Sequence, residues 1–197
     1  MRWHFAVEAA PPNDRDAWSV PDIPPERLEV IAGHCRQIER LGLWGLRMPF
    51  GLMYVPGRHI NTENLSITLC DGVIGFSCAT FVLHFFDTVG IRLLDVENWR
   101  SRAQDTEIQR RYVEQLRAQT DEIGPPKFGA DYPTKTHVEA AESQIGCFRY
   151  RPEEVAAACL FDDLPVDIDK AEPAGKRVLQ FIDEQSARAD QQGGGFM

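Results

Sequence analysis

The chain has 197 residues, 26% of them charged, and a formal net charge of −9. That length fits one domain with a sizeable core. The 43% share of hydrophobic residues is an ordinary globular balance and excludes disorder of the whole chain. The acidic total, with no basic stripe to override it, argues against binding a nucleic-acid backbone and against docking on anionic lipid.

The five cysteines, Cys35, Cys70, Cys78, Cys147 and Cys159, form no C-x-x-C pair. A zinc knuckle or dithiol redox motif therefore has no support, and no metal or cofactor is expected. Met1-Arg2-Trp3-His4-Phe5 lacks the charged and apolar regions of a secretory signal. No apolar run has the length to span a bilayer. A cytoplasmic protein with free thiols is the expected setting.

In chain order, residues 3–8 alternate weakly and predict a short strand. A proline-rich loop follows, pinned by Trp18. Pro24 and Pro25 suit a helix start, and Leu28, Ile31, Ala32, Cys35 and Ile38 recur at helical spacing. This predicts a helix over 25–41 with Cys35 on its buried stripe and His34 beside it. Residues 43–60 are punctuated by Gly and Pro and give no clear element. Leu65 to Leu69 alternate as a strand, Asp71-Gly72 signals a hairpin turn, and Val73 to Phe76 predict the returning strand. Ser77 is a good N-cap for a helix from Cys78 to about Val89, with Gly90 as its stop.

Ile108, Tyr112, Val113 and Leu116 predict an amphipathic helix over about 105–120, and residues 121–135 a long loop. Thr136-His137-Val138-Glu139 reads as a capping box for a helix over 137–145. Cys147 to Tyr150 predict a short strand. Pro152 opens a helix through Cys159, and a last helix over 173–185 carries Val178, Phe181 and Ile182 inward. Residues 1–186 are expected to form a single domain and 187–197 a flexible tail. Runs of strands and helices without βα alternation favour an α+β class.

The segment from Gly75 to Leu83 carries the chemistry. Its helix is apolar nearly all round, as in a helix buried mid-domain, yet its first residue is Cys78. At a helix N-terminus the free N–H groups and the positive dipole end stabilise a thiolate. Against this stands the ordinary use of cysteine as a small buried hydrophobe.

With Cys78-Ala79-Thr80-Phe81-Val82 and then Gly90-Ile91-Arg92-Leu93-Leu94-Asp95, residues 75–99 resemble the nucleophile helix of papain-like cysteine hydrolases. They look most like the circularly permuted branch that includes NlpC-like amidases and lecithin–retinol acyltransferase relatives. The resemblance implies a papain-like α+β fold, with the nucleophile helix packed on a small antiparallel sheet. It implies a thiol hydrolase or acyltransferase that works through an acyl-thioester on a peptide, amide or ester. It also implies a histidine on a strand before the cysteine.

A thiol needs a general base within hydrogen-bond reach. His4, opening the first predicted strand, best matches the permuted order; Cys78 and His4 are the expected catalytic pair. His59 is the runner-up. His137 starts a helix rather than a strand and is expected at the surface. His34 lies at a helix boundary. His84 is on the Cys78 helix, about 9 Å along the axis and turned away, and is expected to pack. A third catalytic member has no match. The alternative is a catalytically inactive domain that binds a protein partner.

The remaining features have plainer readings. Trp18 and Trp99 anchor loops. Asp162, Asp163, Asp167 and Asp169 lack the calcium-loop pattern and read as a solvated acidic loop. Arg149 and Arg151 read as structural ion-pair donors.

Overall fold

The computed structural model describes residues 23–40, 50–57, 59–61, 72–123 and 134–193. Among these lie six helices: α1 (Pro25–Arg40), α2 (Cys78–Thr88), α3 (Asp105–Ile123), α4 (Lys135–Ser143), α5 (Pro152–Ala158) and α6 (Ile168–Gly193). An isolated parallel bridge joins Leu94 to Val166, and Ile60 also stands in a single bridge; no described residues form a longer ladder.

The expected papain-like α+β fold with an antiparallel sheet is therefore overturned. Val73 to Phe76 and Cys147 to Tyr150 form no ladder with other described residues. Side chains bond the backbone at and near these segments. Gln144 Oε1 accepts the Leu52 and Met53 N–H groups, while Gln144 Nε2 donates to the Gly72 carbonyl at 2.7 Å. Gln109 donates to the Cys147 carbonyl, and Trp99 and Arg102 both donate to the Arg149 carbonyl. Side chains satisfy backbone groups that a neighbouring strand would otherwise take. The expected strands at 3–8 and 65–69 lie outside the described residues.

Two apolar cores result. The larger collects Leu83 and Phe86 of α2, Leu93, Leu94, Trp99 and Tyr150 of the connections, Val155 and Ala158 of α5, and Ile168 and Ala171 of α6. The smaller joins Phe50 and Leu52 to Val113 and Leu116 of α3 and Val138 and Ala141 of α4. Small residues let α5 and α6 approach closely: a Cβ on Gly175 would lie 3.2 Å from the Glu153 backbone. Gly51 packs against the Gly75 backbone so tightly that a Cβ there would collide with it.

A buried ion network ties the start of α3 to the start of α5. Arg102 grips Glu154 with both terminal nitrogens and meets Asp105 at 2.9 Å. Asp105 also pairs with Arg149 and Arg151, as expected of those two arginines. Burial raises the Asp105 carboxyl, but Arg102 and Arg151 outweigh it and hold the group below its ordinary value.

Several elements sit differently from expectation. In α1, Cys35 is exposed, while His34 turns its ring edge-on to Phe85. Leu28 and Ile31 of the expected stripe do meet the core, but Ala32 is exposed as Cys35 is. The cap of α4 is Thr134, whose side chain accepts the His137 N–H, so the helix starts two residues before the predicted box opened it. α6 begins at Ile168 because Asp167 caps it, accepting the Lys170 N–H at 2.9 Å. It runs through Pro173 to Gly193, and Phe181, expected inward, is 50% exposed.

Candidate functional site

The helix carrying Cys78 forms as its sequence dictates. Ser77 adopts an extended backbone and its side chain accepts the Thr80 N–H, while Thr80 Oγ1 accepts the Ser77 N–H at 2.7 Å. This reciprocal box satisfies two donors that a helix start leaves bare. At the other end Gly90 has φ +75. Its N–H bonds the Asp87 carbonyl and the Ile91 N–H bonds the Phe86 carbonyl, a Schellman closure that only glycine enters without strain. Between the caps, Ala79, Thr80, Leu83, His84, Phe85, Phe86 and Thr88 are buried. Cys78 alone opens the helix, and its side chain is exposed.

The described cysteines differ in environment. Burial pushes the Cys147 thiol up to about 11 and raises Cys159 and Cys35. Cys78 and Cys35 are the two exposed thiols among them. Cys78 sits at the positive end of a helix dipole, whereas Cys35 lies inside α1.

No described imidazole hydrogen-bonds the Cys78 sulfur. His137, expected at the surface, is half-buried, and its Nε2 pairs with the Phe50 carbonyl at 2.7 Å. Burial lowers its pKa. His34 packs on Phe85. His59 is buried, with Nε2 paired to the Val55 carbonyl at 3.0 Å. His4 and Cys70 lie outside the described residues.

A second cluster forms where Tyr54 and His59 meet α2. The His84 ring meets the rings of His59, Tyr54 and Phe76 at centroid distances of 4.5, 4.6 and 4.8 Å. His84 is fully buried, and neither ring nitrogen completes a hydrogen bond. Burial, then the neighbouring His59, pushes its pKa down to about 4, with the Gly57 backbone pulling the other way. One turn on, Asp87 accepts the Tyr54 hydroxyl at 2.6 Å and the Gly57 N–H at 3.1 Å. The packed role expected for His84 is what the structure shows. The pairing with His59 and the Tyr54–Asp87 clasp were not anticipated, because residues 43–60 carry no periodic signal. The tyrosine, the histidine and the φ +150 glycine at Gly57 are the hints that segment offers.

Of the two exposed thiols among the described residues, that of Cys78 stands at the start of a capped helix. The histidine cluster is sealed and holds the 54–59 segment against α2. Among the described residues no group of three or more His, Cys, Asp or Glu side chains is placed to hold a metal. No described helix is long and apolar enough to cross a membrane. No family model matches the sequence, and comparisons with curated proteins and with solved structures return no match.

Proposed function

We propose that the chain is a thiol enzyme in which Cys78 is the nucleophile for hydrolysis or transfer of an acyl group. The observation that carries this reading is the contrast within α2: a capped helix buried along its body presents one exposed residue at its N-terminus, and that residue is a cysteine. The reading does not require a papain-like sheet.

In the proposed reaction the Cys78 thiol gives its proton to an imidazole, and the sulfur adds to a carbonyl carbon. The C–N or C–O bond of the substrate then breaks, the leaving group takes that proton, and water or an acceptor resolves the thioester. His34, His59, His84 and His137 are packed or bonded elsewhere. The imidazole assigned to the task is therefore His4. The Cys78 N–H is the first oxyanion donor. The substrate is a small molecule or peptide with an amide or ester bond.

A second reading, a non-catalytic domain that binds a protein partner, draws support from the absence of a described imidazole on the sulfur. Alkylation separates the two. Iodoacetamide near neutral pH should label Cys78 faster than Cys35, although both are exposed, and His4→Ala should remove the advantage. Equal, slow labelling of the two thiols sinks the enzyme reading.

A further inference from the structure

The aromatic cluster against α2 holds two titratable rings in direct contact. His84 is fully buried and His59 is 4% exposed, and their rings meet edge to face with centroids 4.5 Å apart. Tyr54 and Phe76 close two further sides of His84. Gly57 makes this approach possible: it holds φ +150, and a Cβ there would press on the His59 ring at 3.3 Å. At about 100° per residue, His84 and Asp87 lie on the side of α2 away from Cys78, so the cluster is independent of the thiol.

The groups around His84 favour a neutral ring. Tyr54 is a neutral phenol, pushed further up by burial and by Asp87. Phe76 is apolar, as are Val155 and Ala158, which α5 brings to the same core. His34 of α1 faces Phe85 instead. Asp87, the acid of α2, is already engaged by the Tyr54 hydroxyl and the Gly57 N–H. Tyr150 stands behind Tyr54 at 5.3 Å, and Arg92 is the cation that acts on Tyr54. A proton on His84 therefore meets a second imidazole, aromatic rings and a carboxylate already in use.

The same contacts hold the chain in place. Tyr54 and Gly57 both hang on Asp87, His59 Nε2 pairs with the Val55 carbonyl, and none of the described residues 50–57 and 59–61 belongs to a helix. When this stretch lifts, the His84 ring reaches water, and Asp87, three positions on, is released to face an imidazolium. The closed and lifted states thus differ in proton affinity, and acid favours the lifted one.

We propose that the His59–His84 contact is an acid-released latch: protonation frees the stretch carrying Tyr54, Gly57 and His59 from α2 while α5 and α6 stay packed. Amide hydrogen exchange of the full chain tests this. The Gly57 and His59 N–H groups should exchange faster than those of Ala171 and Ala174, buried in α6, and respond little to dilute urea, as a local opening does. After correction for intrinsic rates, their protection should fall about twentyfold from pH 7 to pH 5, because His84 titrates at about 4 when closed and near 6.5 when open. His84→Phe should erase that fall. Tyr54→Phe, which loses only the hydroxyl on Asp87, should raise exchange at both pH values and keep the fall. Protection that is equal at the two pH values overturns the proposal. So does a fall that survives His84→Phe, and so does exchange at Gly57 and His59 that matches Ala171 in rate and urea response, since the molecule then opens only as a whole.

Discussion

A buried imidazole whose charged form burial disfavours ties stability to pH. His84 stays neutral in the folded chain down to about 4, whereas an unfolded histidine takes up its proton near pH 6.5. Between those values the unfolded state binds more protons, so stability falls as the pH drops. The loss is about 3 kcal/mol between pH 7 and 4, at 1.36 kcal/mol per unit. His137, also lowered by burial, adds in the same direction. Urea titrations across this range should show a shallower decline for His84→Phe, whose ring fits among Tyr54, His59 and Phe76. An unchanged slope would mean that His84 is not the group responsible.

At the scale of one element, α2 supplies the reactive position through its cap. Removing the Ser77 hydroxyl takes away the acceptor for the Thr80 N–H and should cost about 1 kcal/mol. Ser77→Ala should therefore lower the denaturation midpoint. It should also change the rate of Cys78 alkylation by loosening the turn that positions the sulfur, while Ser77→Asp keeps the helix capped. If Ser77→Ala destabilises the chain but leaves the alkylation rate untouched, the cap supports the fold and not the sulfur.

Across the whole molecule, the Arg102–Asp105–Glu154 network joins α3 to α5 at the edge of the larger core. Its side chains are almost wholly buried, at 9%, 3% and 1% exposure. Breaking such a network by removing one charge leaves the others uncompensated and costs about 3–5 kcal/mol. Asp105→Asn, which strips the shared partner from Arg102, Arg149 and Arg151, should lower stability by that order in a denaturant titration. A change under about 1 kcal/mol would show that water already screens the site. The Asp105 carboxyl is held below its ordinary value. Its contribution is therefore full above the unfolded pKa and fades as the pH falls through the folded one.

Local interactions made much of this legible in advance. The start of α2 at Cys78, its Ser77 cap and its Gly90 stop are written within a few residues of one another. So are the Pro25 and Pro152 starts and the apolar spacing of α3. Trp99 buries itself and anchors the connection before α3, as an isolated tryptophan does. Cys78 could be singled out because an apolar helix opening with a cysteine is a local pattern. Its exposure required the neighbours. So did the phase of α1 that turns His34 in and Cys35 out, since one residue separates the two. An alternating segment such as Val73 to Phe76 has no fixed partner in the sequence. Here Gln144, distant along the chain, serves residues 52, 53 and 72, a set of contacts that no local pattern announces. Contacts between residues close in sequence follow from composition and spacing alone. Pairings such as His59 with His84, or α5 with α6, depend on how elements pack in space, and only the tertiary structure decided them.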